Sequence, residues 1–148
     1  MYTTYNKKRE ILLVEDNPGD IRLTVEAFKE GKISHNVHVA ANGLEAMNFL
    51  KKSDNHKSAI TPDLILVDLN MPIMDGREFL KEIKQDPILK KIPVCILSTS
   101  SAEVDIRDSY DLHANSYISK PMQLNDYREL IRTVEKYWLN TVDLPEKT

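Results

Sequence analysis

The chain between residues 63 and 72 reads D-L-I-L-V-D-L-N-M-P, an apolar run that ends in the carboxylate of Asp68. A continuous apolar run of this length between turn-forming residues is typical of a strand buried on both faces of a parallel sheet. Ligands and chemistry in open α/β sheets lie at the carboxyl ends of the strands, where this pattern puts Asp68. Asp is also a common cap of a loop or helix, so this stretch alone leaves both interpretations open.

Four further strands are predicted around this one. Residues 11–14 form a second continuous apolar run, which ends in Glu15 and Asp16. Three more apolar or alternating segments are separated by segments with apolar residues at helical spacing. Strands that alternate with helices predict an α/β fold with a doubly wound, five-stranded parallel sheet. We expect the flavodoxin-like strand order 2-1-3-4-5, whose switch point lies between the two strands that end in carboxylates.

Each of the five predicted helices has an apolar face that should pack on the sheet. The residues at helical spacing are, from the first helix to the fifth, Ile21, Val25 and Phe28; Leu44, Met47 and Leu50; Phe79, Leu80 and Ile83; Val104, Ile106 and Tyr110; and Leu124, Tyr127, Ile131, Val134 and Trp138. Residues 51–61 have no clear period and are expected to form an exposed loop. From Asn140 onward the chain is polar and is expected to fray.

Length and composition indicate one globular domain. The chain has 148 residues, of which 41% are hydrophobic and 29% are charged, which is enough to build a sizeable core. We predict a single domain over residues 1–148, with its core at about residues 10–139 and a polar tail at residues 140–148. The net charge of −3 argues against a nucleic-acid partner.

Nothing in the sequence indicates a membrane or a secretory protein. The first ten residues lack the apolar core of a secretory signal, and no apolar run approaches the ~20 residues that cross a bilayer. Cys95 is the one cysteine and lies in an apolar run, so it is expected to be a small core residue without an internal disulfide. A cytoplasmic location is therefore expected.

Polar side chains at the ends of the predicted strands should converge at one edge of the sheet. They are Glu15 and Asp16 after strand 1, Asp68 at strand 3, Ser98 at strand 4 and Lys120 after strand 5. Three converging carboxylates would repel one another unless a cation lay among them. Ligands that are all oxygen, without His or Cys, suit Mg²⁺ or Mn²⁺.

A metal site beside a carboxylate, a lysine and a hydroxyl favours phosphoryl transfer, which needs mainly positioning and neutralisation of charge. Asp68 would be the nucleophile and would form an aspartyl phosphate. Lys120 would pair with one phosphoryl oxygen, and Ser98 would donate a hydrogen bond to another. A backbone carbonyl near Asn70 would complete the metal ligands.

Each of these residues also has a plainer interpretation. Glu15 and Asp16 can cap the helix that begins near Pro18. Ser98 can be only a cap of the next helix, and Lys120 only a solvated lysine beside a turn. All of these interpretations would have to hold together, at four strand ends on one edge, so the sequence favours the site.

The same residues resemble the receiver domains of two-component response regulators. The acid pair Glu15-Asp16 follows an apolar strand, the segment D-L-N-M-P-I-M-D-G begins at Asp68, and S-Y-I-S-K-P ends at Pro121, with Ser98 between them at a spacing similar to the family's. The resemblance covers residues 10–138. The segments D-G-R-E-F-L-K-E-I-K-Q-D-P and S-Y-D-L-H-A-N-S-Y-I-S-K-P, and the ending Y-W-L, look like the small stand-alone regulators that partner cyanobacterial phytochromes.

The resemblance implies a metal-dependent phosphorylation. Asp68 would accept a phosphoryl group from a sensor histidine kinase in a two-component system, and the likeness to the phytochrome-partner regulators implies a phytochrome-like kinase. Mg²⁺ or Mn²⁺ would be held by Glu15, Asp16, Asp68 and the backbone carbonyl of Asn70. The protein would catalyse only its own phosphorylation and dephosphorylation at Asp68, so no turnover enzyme is expected.

The resemblance also implies a switch that follows phosphorylation. Ser98, Thr99 and Lys120 would bind the phosphoryl group, and Tyr117 would rotate between inactive and active states. The Lys120–Pro121 peptide bond would be cis. The surface made by helix 4, strand 5 and helix 5 would then dock a downstream protein or a second copy of the chain.

Four residues depart from the family's usual pattern. Glu15 stands where Asp is commoner, and Ser98 stands where Thr is more frequent, which removes a methyl that restricts rotation. Thr99 occupies a site usually held by a smaller residue and could hinder water or a phosphodonor. His113 stands where Gly is common, so that turn is expected to be made differently.

Two other functions remain open at this level. The first is a receiver that has lost its chemistry and serves only as a protein-binding module, against which the retention of Asp68 and its neighbours argues. The second is an aspartate-nucleophile phosphatase, but those enzymes carry a second Asp two positions after the nucleophile. Asn70 stands at that position here and cannot act as the general acid.

Overall fold

The computed structural model of the protein describes residues 7–31, 33–52 and 60–145. Its centre is a sheet of five parallel strands in the order β2-β1-β3-β4-β5. The strands are β1 (Glu10–Val14), β2 (Asn36–Ala40), β3 (Leu64–Asp68), β4 (Val94–Ser98) and β5 (Ser116–Ser119). The predicted fold class and strand order are confirmed.

Helices follow the strands and cover both faces of the sheet. They are α1 (Pro18–Lys29), α2 (Gly43–Lys51), α3 (Gly76–Gln85), α4 (Glu103–Asp111) and α5 (Leu124–Val134). A short 3₁₀ helix (Leu89–Lys91) precedes β4, and a π-helical segment (Glu135–Thr141) continues from α5. Within the described residues, no helix has both the length and the apolar character needed to cross a membrane.

Two apolar layers form the core, one on each face of the sheet. In β1, Leu12 and Val14 face the layer under α2 and α3, whereas Ile11 and Leu13 face the layer under α1 and α5. Successive strand residues point to opposite faces, so a strand covered on both sides must be apolar at every position. This requirement explains the continuous apolar runs in β1, β3 and β4.

Three side-chain caps fix where the helices begin. Asn17, Asn42 and Asp75 each accept a hydrogen bond from the backbone N–H three residues further on, at 2.9, 2.9 and 3.0 Å. Such caps satisfy N–H groups that have no partner within the helix. The cap of α1 is Asn17, so the capping interpretation of Glu15 and Asp16 is not needed.

Gly76 brings the start of α3 directly against the end of β3. A Cβ atom at this position would lie 2.5 Å from the carbonyl oxygen of Asp68 and 2.8 Å from the Cα of Leu69. The backbone N–H of Gly76 also donates to the Leu69 carbonyl at 2.9 Å. Only a residue without a side chain allows this approach, so Gly76 fixes α3 relative to Asp68.

The buried face of α1 includes Thr24, which the apolar spacing did not indicate. The Thr24 hydroxyl donates to the carbonyl of Asp20 at 2.8 Å and lies 2.9 Å from the hydroxyl of Tyr127 in α5. Thr24 has one hydroxyl proton, so Tyr127 is the donor of the second bond. This bond ties α1 to α5 through two buried side chains.

Other predicted inner faces hold only in part. Phe79, Leu80 and Ile83 of α3 are fully buried, as predicted. In α4, Val104 and Tyr110 are 50% and 48% exposed, and the one fully buried side chain is Ser109. Helix α4 therefore covers the sheet only weakly, and its outer apolar residues are available at the surface.

Two local expectations are wrong. The turn at His113 was expected to differ from one made by Gly. Instead, His113 has a φ of 74°, the same left-handed conformation that Gly adopts in such turns. The described residues from Asn140 onward do not form a free tail, because the π-helical segment ends at Thr141 and Leu144 packs against the core; residues 146–148 lie outside the described part of the chain. In the loop predicted at residues 51–61, residues 53–59 lie outside the described part of the chain.

Candidate functional site

The ends of four strands bring the predicted polar residues together at one edge of the sheet. Glu15 directly follows β1, Asp68 and Ser98 are the last residues of β3 and β4, and Lys120 directly follows β5. The backbone N–H of Lys120 donates to the carbonyl of Ser98 at 2.7 Å and so continues the pairing of β4 with β5. The register of the parallel sheet therefore sets these side chains side by side.

Three carboxylates form a cluster that has the geometry of a cation site. Glu15, Asp16 and Asp68 each place one carboxylate oxygen so that all three oxygens lie within 4.8 Å of one another. Glu15 is buried and Asp16 is exposed, so the cluster opens to solvent on one side. Hard oxygen ligands with one open side suit Mg²⁺ or Mn²⁺, which retain several waters.

The electrostatics of the cluster agree with a cation site. Burial raises the pKa of Glu15, although its hydrogen bond to Lys120 acts in the opposite direction. Burial also raises the pKa of Asp68, against the influence of Lys120 and of a hydrogen bond from the backbone N–H of Asn70. A divalent cation would favour the ionised form of both carboxyl groups, so these residues fit a metal.

Lys120 is buried among acidic side chains. Its ammonium nitrogen lies 2.6 Å from Glu15 Oε1, 2.9 Å from Asp20 Oδ2 and 3.8 Å from Asp68 Oδ2. Burial alone would lower the pKa of Lys120, but the hydrogen bonds to Glu15 and Asp20 outweigh it and raise the pKa above its usual range. The lysine is therefore held as a cation beside the cluster.

Asp20 is a residue of this site that the sequence did not reveal. It lies in the first turn of α1, where its backbone N–H bonds to the Asn17 cap. Asp20 lies in the first turn of the helix that begins just after the acid pair Glu15-Asp16. A carboxylate at that position was the available signal.

Ser98 is fully buried beneath the loop that leaves β4. Its hydroxyl oxygen accepts a hydrogen bond from the backbone N–H of Ser100 at 3.1 Å. Helix α4 begins later, with Ala102 at its cap position, so Ser98 is not the cap of α4. Thr99 is exposed at the same loop.

Tyr117 in β5 contacts this loop from the other side. Its hydroxyl donates to the carbonyl of Ser100 at 2.8 Å, and its backbone N–H donates to the hydroxyl of Tyr110 at 3.2 Å. The ring is half-buried and packs against the core layer under α2 and α3. Tyr117 is therefore turned toward the loop that follows Ser98, and we call this its inward position.

One predicted feature is wrong. No peptide bond in the described residues is cis, so the Lys120–Pro121 bond is trans. The trans isomer is the more stable form of an X–Pro bond by about 0.5–1 kcal/mol, and here it is compatible with the bond from the Lys120 N–H to Ser98. The backbone N–H of Asn70 bonds to Asp68. The role of the Asn70 backbone carbonyl as a metal ligand stays a prediction.

Comparison with known proteins shows which family the chain is similar to. The response regulator receiver domain family matches residues 11–132 of the chain. Response regulator Rcp1 of Synechocystis sp. is 46% identical over 140 residues, which cover 95% of this chain and 95% of Rcp1.

Solved structures show the same likeness. The crystal structure of the phosphorylated cyanobacterial phytochrome response regulator RcpA superposes with a TM-score of 0.92 at 48% identity, covering 95% of this chain and 100% of that one. The Mn²⁺-bound form of Rcp1 has a TM-score of 0.88 at 46% identity, covering 93% of this chain and 99% of that one.

Proposed function

The chain belongs to the response regulator receiver domain family, and from this membership we propose that it is a phosphorylation-dependent signalling switch. Asp68 accepts a phosphoryl group from a sensor histidine kinase, and the protein passes the signal on through a surface whose shape depends on that group. The whole chain acts as one receiver domain, in the cytoplasm. It performs no turnover on an external substrate.

One observation carries this proposal. The carboxylate of Asp68 ends a buried strand within 4.8 Å of two further carboxylates and 3.8 Å from the ammonium of Lys120. A nucleophilic carboxylate, a cation site and a fixed positive charge are the groups that phosphoryl transfer requires. The similar structures include a phosphorylated RcpA and a Mn²⁺-bound Rcp1, which support the same chemistry here.

A metal ion would be held by Glu15, Asp16 and Asp68, with the Asn70 carbonyl as the predicted fourth ligand from the protein. When bound, Mg²⁺ or Mn²⁺ neutralises charge that develops on the phosphoryl oxygens. The ammonium of Lys120, which lies 3.8 Å from Asp68 Oδ2, supplies a second positive charge.

In the transfer step, an oxygen of Asp68 attacks the phosphorus of a phosphohistidine on the kinase. The bond from phosphorus to the histidine nitrogen breaks, and that nitrogen keeps the electron pair. Ser98 turns its hydroxyl proton toward a phosphoryl oxygen, and Lys120 moves from Glu15 toward the new negative charge.

Asn70 favours a switch over a phosphatase. It lies two positions after Asp68, where its side chain offers no acidic proton, and its backbone N–H already binds Asp68. Without a general acid or base at this position, rapid hydrolysis of the aspartyl phosphate is not catalysed from there, and rapid hydrolysis is what a phosphatase needs.

We also propose that the signal leaves through the face formed by α4, β5 and α5. Val104 and Tyr110 of α4 and Leu124 of α5 are large apolar side chains that are at least 48% exposed. Tyr117 links this face to the loop that carries Ser98. A downstream protein or a second copy of the chain would dock there, and the sensor kinase is proposed to be phytochrome-like because of the similarity to RcpA and Rcp1.

The direct test is uptake of radiolabelled phosphate from acetyl phosphate, and from a phosphorylated phytochrome-type kinase, in the presence of Mg²⁺. We expect the wild-type protein to be labelled and Asp68→Asn to take up no label. Asp126→Asn removes the same charge from the exposed start of α5 and should be labelled normally. Labelling of Asp68→Asn at the wild-type rate would exclude Asp68 as the acceptor.

Two further measurements distinguish the remaining functions. A wild-type protein that binds neither Mg²⁺ nor beryllofluoride, yet still binds a partner, would be a binding module only. Continuous release of phosphate from a generic phosphoester would indicate a phosphatase.

A further inference from the structure

A chain of contacts outside the carboxylate cluster joins α3, α4 and β5. Arg77, in the first turn of α3, forms an ion pair with one carboxylate oxygen of Asp105 in α4. The other oxygen of Asp105 accepts a hydrogen bond from the Ser100 hydroxyl at 2.5 Å. The Ser100 carbonyl in turn accepts the bond from the Tyr117 hydroxyl.

Ser100 is the centre of this chain. Its hydroxyl donates to Asp105 and accepts from the backbone N–H of Ala102 at 3.2 Å, while its own N–H donates to Ser98. The N–H, the hydroxyl and the carbonyl of Ser100 are thus all hydrogen-bonded, and the carbonyl bonds to the Tyr117 hydroxyl. A carbonyl held in place is a better acceptor than one on a free loop, because less conformational entropy is lost.

The chain begins at the phosphoacceptor strand. Gly76 presses the start of α3 against the Asp68 backbone, and Arg77 is the next residue. Asp105 is partly buried, with its side chain 24% exposed, so its bonds are less screened by water than those of a surface pair. Contacts therefore connect the end of β3 to Tyr117 through Arg77 and Asp105.

We propose that Arg77 and Asp105 are positioning residues of the switch, which hold Ser100 so that Tyr117 is kept in its inward position. The inference rests on the proposed function for the meaning of the Tyr117 movement. The contacts themselves can be tested without phosphate. The competing explanation is that Ser100 and Asp105 only cap α4, which has no side-chain cap at Ala102.

The variant Asp105→Ala separates these explanations, with Glu103→Ala as its control. Glu103 lies in the same first turn of α4 and is exposed. Glu103→Ala therefore removes one negative charge, as Asp105→Ala does, but leaves the contacts between Arg77, Asp105 and Ser100 intact. The protein is labelled with 3-fluorotyrosine, and the Tyr117 resonance is assigned with Tyr117→Phe. Fluorine NMR then reports the position of this ring with and without Mg²⁺ and beryllofluoride.

We expect Asp105→Ala to shift the balance of Tyr117 positions away from the inward one by about tenfold, the effect of losing one charge-assisted hydrogen bond. Glu103→Ala should leave the resonance unchanged. Label uptake at Asp68 should stay within about twofold of wild type in both variants, because the residues that bind the phosphoryl group are untouched. Ser100→Ala and Arg77→Met should reproduce the shift, and they replace Asp105→Ala should that variant not fold.

A Tyr117 resonance that is the same in Asp105→Ala and Glu103→Ala would overturn the proposal, even if Asp105→Ala melts at a lower temperature. Failure of the wild-type protein to take up phosphate would instead overturn the proposed function. The comparison of the unphosphorylated variants would still decide whether the contact chain positions Tyr117.

Discussion

The ammonium of Lys120 lies 2.6 Å from Glu15 and 3.8 Å from Asp68, so it is paired more closely with a predicted metal ligand than with the predicted phosphoacceptor. Lys120 and a divalent cation therefore compete for the same carboxylate of Glu15. Asp20, at 2.9 Å, gives the ammonium a second partner that is not a member of the carboxylate cluster.

Removal of Lys120 should strengthen metal binding. In Lys120→Met the carboxylate of Glu15 loses its competing cation, and we expect the affinity for Mg²⁺ to rise by about tenfold. Titration calorimetry with Mg²⁺ or Mn²⁺ measures this change. Lys81→Met, on the exposed side of α3, should bind the metal as the wild type does. An affinity that is unchanged or weaker in Lys120→Met would contradict the competition.

Substitution of Gly76 should be far more harmful than substitution of Gly19. In Gly76→Ala the new methyl would collide with the backbone of Asp68 and Leu69, and we expect a loss of about 2 kcal/mol or more in the free energy of unfolding. At Gly19, in the first turn of α1, the nearest atom is the Asn17 side-chain oxygen at 3.3 Å. Urea unfolding of both variants should show a loss only in Gly76→Ala, and equal stabilities would refute the close approach.

His35 should make stability depend on pH. It is buried, its Nδ1 accepts the backbone N–H of Arg9 at 3.0 Å, and its Nε2 lies 3.1 Å from Glu135 Oε2. Burial lowers the pKa of His35, and the nearby Arg9 lowers it further. The unfolded chain, with its ordinary pKa of about 6.5, therefore binds the proton more readily than the folded chain does.

The consequence is that stability falls as the pH drops through about 6.5 and below. Urea unfolding at a series of pH values measures the slope. His35→Gln keeps an acceptor and a donor but cannot be protonated, so its slope should be smaller. His113→Gln, at an exposed position, should keep the wild-type slope. A wild-type slope in His35→Gln would rule out His35 as the source.

Cys95 should be chemically inert in the folded protein. It is fully buried in β4, and burial raises the pKa of its thiol to about 11. Since the thiolate is the reactive form, alkylation at about pH 8 should proceed only as fast as the protein unfolds. Because the chain has a single cysteine, mass spectrometry measures the alkylated fraction directly. The rate in native buffer is compared with the faster rate expected for the protein unfolded in urea. Rapid alkylation in native buffer would show that the thiol is accessible.

The architecture was open to prediction because its signals are local. Parallel strands covered on both faces must be apolar at every position, so β1, β3 and β4 stand out as continuous runs. The residues that follow these runs, Glu15, Asp68 and Ser98, were found by the same reasoning, since parallel strands end at one edge of the sheet. Thr24 was missed because a polar side chain gives no apolar signal, and its burial depends on the hydrogen bond with Tyr127 of α5.

The sequence by itself determined which side chains end the strands at one edge of the sheet, because the alternation of strands and helices predicts a parallel sheet whose strands all end at that edge. Only the tertiary structure decided how those side chains are paired. The contacts of Lys120 with Asp20, of Ser100 with Asp105 and of Tyr117 with the Ser100 carbonyl depend on distances of about 3 Å. Hydrogen bonds and ion pairs at that range are set by the mutual packing of elements that are far apart in the chain, and no local pattern records it.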